Sequence, residues 1–425
     1  MPPPGLKLEQ APPVSAPLRF FLTAPLFALL AALLIAWRGP EMFSSRWTPS
    51  LLAATHLLAL GFVTMTMLGA TMQILPVLAG APLPAPLALA GFTHAALTLG
   101  TLALAGGFLY SDAALMQAAA VLLALGLGVF VFFVWFALAR ASSLDSALAL
   151  AAVALAVAAL LGSALASARG GWMSTLASRV SADLHPAWAL AGWVGLLVAA
   201  VSVQVVPMFQ MTPSYPPTMR RLFSTVVLML LAAWSVLKWF APDQVVTLVA
   251  GLALAAACIL FAAVTIELQR RRRRRVADVT LWFWRAGMIS TVMASLLWAA
   301  RLLGLSSGEI DIALGVLAIA GAAMSLINGM LYKIVPFLAW FHLQAAGGRG
   351  VHMKMFLAEA PQRRQFALHL AALFLMTGAA WGSAGMIYAA AVCLALSAIS
   401  LLWNLVSVMN SYRRAHAALN PRASR

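Results

Sequence analysis

Seven histidines are the residues of this sequence best suited to hold a metal or a prosthetic group, and their placement is uneven. His56 opens the apolar stretch HLLALGFVTMTMLGATMQILPVLAG (56–80), and His185, followed by Pro186, opens HPAWALAGWVGLLVAAVSVQVVPMFQM (185–211). Imidazole suits heme iron, copper and zinc. The pair therefore reads either as ligands of a heme or metal ion, or as interfacial histidines bonded to backbone carbonyls and headgroups. His94, in LAGFTHAALTLG, lies well inside another apolar run, where a polar side chain needs a partner. It reads as a further heme ligand or as a group packed on a threonine or a carbonyl. His342, His352 and His369 fall around HLQAAGGRGVHMKMFLAEAPQRRQ (342–365), a basic, glycine-hinged segment that predicts a membrane-surface helix. A metal site built from those three histidines is the competing reading.

Other donors are sparse. Met65, Met67 and Met72 on the first stretch and Met208 and Met211 on the second offer soft thioethers to Cu(I), with Met65 and Met72 seven apart on one helix face. Methionine is equally an ordinary filler between helices. Cys258 and Cys393, the only two cysteines, both fall inside apolar runs, so neither a disulfide framework nor a thiolate zinc site is expected. No glycine-rich phosphate loop, nucleophile elbow or His-Glu-x-x-His stretch is present.

The elements that position these groups follow from composition. The 425 residues are 63% hydrophobic and 9% charged, with a mean hydropathy of +0.95, against roughly 25% charged residues in soluble domains. Apolar runs long enough to cross a hydrocarbon core of about 30 Å recur along the chain, and in lipid such runs must be helices. An all-α integral membrane protein is predicted, with about twelve spans near 19–37, 51–76, 84–110, 113–139, 144–166, 184–208, 221–241, 244–266, 280–302, 310–338, 365–387 and 389–409. Residues 1–18 lack the basic start and cleavage site of a signal peptide, so the first helix is expected to be kept.

Lysine and arginine set the orientation. Nineteen fall in the tails and in the loops after even-numbered spans, six in the loops after odd-numbered ones, which places both termini in the cytoplasm. The net charge of +16 and the run Arg270–Arg275 are read as that topology signal and as an attractor for anionic lipid, not for nucleic acid. All eleven acidic residues lie in tails, loops or helix ends, so no mid-membrane carboxylate is available as a proton relay.

A repeat underlies the spans. Gly61 is followed twelve residues later by Gln73 and then Pro76; Gly192 likewise by Gln204 and Pro207; Gly321 by Lys333 and Pro336. The three frames lie 131 and 129 residues apart, which predicts three pseudo-repeats of four helices around a central axis: 19–140, 144–267 and 280–411, between cytoplasmic tails 1–18 and 412–425. Gln73, Gln204 and Lys333 then fall at the inner end, as an amide and ammonium cluster able to take an anion or a heme propionate. The alternative for Lys333 is to snorkel to headgroups.

Twelve helices in a threefold arrangement, with a histidine opening the second span and His185-Pro186 opening the sixth, resemble subunit I of the heme-copper oxidases and their reduced relatives of the NnrS type. The segment LPVLAGAPLPAP (75–86) is similar to that family's exit from the second helix. The resemblance implies a low-spin heme b ligated by His56 and a copper ligand at His185. It departs from the family in the tenth span, DIALGVLAIAGAAMSLINGML, which carries no histidine, and in the lack of a histidine pair between the sixth and eighth spans. A complete oxygen- or nitric-oxide-reducing centre cannot be assembled from these residues.

The expectation is a bacterial inner-membrane protein that binds one heme b or one metal ion through His56 with His185 or His94, in electron transfer, respiratory assembly or nitric oxide response. A homo-oligomer or a respiratory complex would supply its partners. A non-redox transporter or channel centred on Gln73, Gln204 and Lys333, or an assembly factor without cofactor, are the alternatives.

Overall fold

The computed structural model describes residues 10–141, 146–172, 178–273, 276–348, 352–382 and 384–419, and no strand occurs among them. Ten of its helices are long and apolar enough to cross a membrane: α1 (Ser15–Arg38), α2 (Pro49–Val77), α3 (Pro86–Tyr110), α4 (Ala113–Ala139), α5 (Ser146–Arg169), α6 (Arg179–Gln210), α7 (Pro217–Phe240), α8 (Val245–Arg270), α10 (Gly308–Ala345) and α12 (Ala384–Leu419). Two further helices, α9 (Val279–Leu302) and α11 (Glu359–Ala379), are of similar length but more dilute in apolar residues. Arg285 and three tryptophans dilute α9, and Glu359, Arg363 and Arg364 dilute the start of α11. The chain is a multi-pass membrane protein, whose surface presents large apolar side chains such as Leu160, Phe132 and Trp403 to the bilayer.

Local sequence explains where these helices start. Asp112, Ser178, Asp278 and Ser307 each accept a hydrogen bond from the third residue beyond them, capping α4, α6, α9 and α10. Proline opens α2, α3 and α7, where its missing N–H costs nothing. Hydropathy alone placed the end of α11 too late: the helix closes at Ala379, and Gly382, with φ 100°, turns the chain into α12. The segment 342–365 forms no separate surface helix among the described residues, since α10 runs on to Ala345 and only a short 3-10 turn, Met353–Met355, precedes α11.

The three frames of the sequence share a backbone feature. Each of α2, α6 and α10 changes from α to π geometry in mid-course, at Leu57–Thr64, Trp188–Val194 and Leu317–Met324. Gly61, Gly192 and Gly321 are each the fifth residue of their π stretch. The π stretch of α10 packs against those of both α2 and α6, so the wide turns meet inside the bundle. Close helix approach needs the glycines there: a methyl group at Gly61 would collide with the Phe27 ring of α1, and one at Gly321 would lie 2.6 Å from Ser290 Oγ of α9. Around this middle, α1 packs on α12 and closes the bundle between its first and last helices.

Polar side chains face inward. Ser325 donates to or accepts from His369 Nε2 at 2.8 Å, Tyr332 donates to Gln365 Oε1 at 3.2 Å, Gln365 donates to Ser397 at 2.9 Å, and Asn404 donates to Tyr332 at 2.9 Å, all fully buried between α10, α11 and α12. Interhelical bonds of this kind average about 0.6 kcal/mol each in membranes.

The close approach at Gly61 yields a prediction. Gly61→Ala should cost about 1–3 kcal/mol through overpacking against Phe27. Gly315→Ala, where the added carbon meets open space, should leave thermal stability unchanged. Melting of the detergent-purified variants checks both, and equal melting temperatures would show that the π frame does not depend on the glycine.

Candidate functional site: two facing imidazoles and a ring of ion pairs

His56 is the last residue before the π stretch of α2, and His185 lies three residues before that of α6. The fold brings the two rings together, with centroids 6.3 Å apart and planes 14° from parallel. His56 Nδ1 lies 2.7 Å from the Leu52 carbonyl one turn back, and His185 Nδ1 lies 3.0 Å from the Ala158 carbonyl of α5. A carbonyl only accepts, so each Nδ1 carries the ring proton and each Nε2 keeps its lone pair. That is the tautomer of a metal-ligating histidine, oriented by a backbone acceptor through its other nitrogen.

The surroundings hold both rings in place. Phe108 of α3 stacks on His56 at 5.4 Å, and the Arg169 guanidinium sits 5.3 Å over the Phe108 ring. Gly162 of α5 faces the His185 ring at a distance where a side chain would reach within 2.8 Å of its Cε1. In the third frame the corresponding positions are apolar, Leu314 and Val316. Two nitrogen donors are thus gathered here, and no group of three or more His, Cys, Asp or Glu side chains able to hold a metal occurs among the described residues.

His94 is elsewhere. Its Nε2 lies 2.9 Å from Thr23 Oγ1 of α1, with Phe20 edge-on at 5.3 Å. Phe108, the neighbour of His56, is fourteen residues further along α3, or about 21 Å along a helix axis. An axial pair of His56 with His94 is therefore corrected: the helix separates them.

The inner polar cluster is corrected too. Lys333 Nζ meets Asp278 Oδ2 at 2.8 Å, so its charge is neutralised by the cap of α9 and not shared with two amides. No hydrogen bond joins Gln73, Gln204 and Lys333 among the described residues, and the buried Gln73 Oε1 has no partner. His369 is buried on Ser325 and does not join His342 and His352. Met65, Met67 and Met72 fill the apolar core, while Met211 is half exposed. Cys258 and Cys393 remain free thiols. Arg271 of the basic run pairs with Glu267 at 2.7 Å, and Arg274 and Arg275 lie outside the described residues.

A feature not legible in the sequence stands beside the imidazoles. Asp183, two residues before His185, and Asp311 are each bridged by both Arg46 and Arg301: Arg46 at 3.2 Å from either carboxylate, Arg301 at 3.2 Å from Asp183 and 2.9 Å from Asp311. The four charges close a neutral ring that ties the loop before α2 to the starts of α6 and α10 and the end of α9. The one available signal was positional, since Asp183 precedes Gly192 by nine residues and Asp311 precedes Gly321 by ten.

Side-chain exposures of 14–31% leave the ring only partly screened. Asp183→Asn and Asp311→Asn should each cost about 1–3 kcal/mol, by leaving two arginines short of a partner. Asp243→Asn, at an exposed loop position, should cost nothing measurable. Thermal melts in detergent at low and high salt check this, and equal melting temperatures for all three would deny the ring its role. No protein-family model matches the chain, and no curated protein matches it.

Proposed function

We propose that the chain is a heme- or metal-binding membrane protein of the heme-copper oxidase subunit I type, with one two-imidazole site at His56 and His185 and without an oxygen-reducing centre. The observation that carries this reading is the matched state of the two rings, each with its proton given to a carbonyl and its Nε2 lone pair left for a ligand. Their ring centres, 6.3 Å apart, are close enough for the two side chains to share one ligand. Such a ligand is the iron of heme b, which when bound supplies one-electron transfer, or a single Cu(I). The protein's own residues fix the tautomers through Leu52 and Ala158, hold the His56 ring with Phe108, and set the approach of α6 through the Asp183 ring.

The same reading takes α9 and α11 as spans, for a total of twelve. Ile289, Met293 and Leu296 on α9 and Phe374 on α11 are exposed large apolar side chains in mid-helix, as a lipid-facing stripe requires. Matched π stretches, glycines and spacing support three pseudo-repeats of four helices. The lysine and arginine bias supports cytoplasmic termini in a bacterial inner membrane, with anionic lipid at the Arg270 to Arg275 run. The transporter alternative has less to stand on, because Lys333 is paired with Asp278.

The visible spectrum and metal content of the detergent-purified protein test the site. A Soret band with sharp α and β bands identifies heme b, and a colourless sample with one copper per chain identifies the ion. His56→Ala and His185→Ala should each abolish whichever signal is found, whereas His94→Ala and Lys333→Ala should leave most of it. A colourless, metal-free protein sinks the proposal, as does a signal that survives loss of either imidazole.

A further inference from the structure

At the histidine end of the bundle, a cleft of about 210 Å³ opens between α6, α7, α8 and α9, separate from the facing imidazoles. Asp183, Trp234, Lys238, Thr247, Arg301 and Ser306 contribute its polar lining. Two of these are already satisfied, since Asp183 and Arg301 belong to the neutral ring of ion pairs. Lys238 is not: this partly buried residue has no acidic partner among the described residues, and it leaves the cleft with one uncompensated positive charge. Trp234 is 3% exposed and serves as wall, its indole nitrogen packed toward Gly251 of α8 and its ring against Trp298. Thr247 spends its hydroxyl proton on the Ala241 carbonyl, and Ser306 adds a further hydroxyl at the rim.

A partly buried cation without a counter-charge wants an anion. We propose that this cleft binds the oxyanion of a small carboxylate or phosphate group, with Lys238 supplying the charge, Ser306 supplying a neutral donor, and Arg301 held back by Asp183. The volume admits a group of a few heavy atoms. The oxyanion has two sources, a free solute or the phosphate of a lipid headgroup. The ring of ion pairs limits the site to one net charge, which favours a monoanion over a more highly charged ligand.

Intrinsic tryptophan fluorescence and calorimetry of the full-length protein in lipid-free neutral detergent test the site, with phosphate and acetate titrated at constant ionic strength against chloride. Saturable binding is expected, weakened about tenfold or more by Lys238→Gln and preserved by Lys238→Arg, as loss of a charge-assisted bond requires. If the free anions are silent and added phosphatidylglycerol gives the response with the same dependence on Lys238, the occupant is a lipid headgroup and the oxyanion site stands. A response matched by chloride, a response equal in Lys238→Gln, or no response to any of the three ligands overturns it.

Discussion

A polar atom inside a bundle bounded by lipid has no water to turn to, and this demand for protein partners governs where the helices of this chain sit. It is met at three depths. At the histidine end, two carboxylates and two guanidiniums from four separate elements neutralise one another. Deeper in, Ser325, Tyr332, His369, Gln365, Ser397 and Asn404 lock α10, α11 and α12 together. Toward the other end, Lys333 takes Asp278, and Gln269 donates to Gln210, so the last turns of α6 and α8 are held side by side. Hydrophobic burial drives little association between helices in lipid, and these bonds together with small-residue contacts decide which helix pairs with which.

The π stretches are where that economy of contacts meets the backbone. Widening a turn leaves carbonyls offset from their usual donors and rotates everything beyond it, and π turns concentrate at functional positions for that reason. Here the widened turns lie directly below His56 and His185, so the rings project from the last ordinary turn before the change in register. Placing the glycine fifth in each stretch lets a neighbouring helix press against the widened turn. A helix that kept α geometry throughout would aim its first turn elsewhere. The direction of the two imidazoles thus depends on residues several positions further down the same helices.

Periodic and local signals in the sequence carried most of the fold. Apolar runs located the helices, Asp and Ser marked their starts, and the glycine-to-proline frame pointed to the helices that carry the π turns. Long-range partners were beyond such signals. Asp278 caps α9 in a recognisable way, yet nothing in its neighbourhood announces that Lys333, 55 residues on, will share it. Arg46 and Asp183 are 137 residues apart and each looked like an ordinary loop or helix-end charge. His369 was misplaced for a simpler reason: α11 begins at Glu359 and not near 365, which carries the histidine about 15 Å into the helix and away from the loop. His94 was rightly read as needing a partner, but periodicity could not say that the partner was Thr23 and not a ligand.

The number of donors at the imidazole pair bears on what a bound group would do. Sites that turn over a substrate keep a coordination position open, as catalytic zinc does with three protein ligands and a water. Were a heme held by both His56 and His185, the two imidazoles would leave no such position for a substrate. A single Cu(I) held by two imidazoles would stay reduced, since Cu(II) needs a fuller tetragonal set of donors. Of the two groups, a heme so held would be the one suited to pass electrons. The third frame carries Leu314 and Val316 at the positions that correspond to His185 and His56, so it adds no donor. A three-donor site here would require a ligating side chain from α10. The π stretch of α10 already touches that of α2, so the backbone for such a donor is in place and only the side chains are apolar.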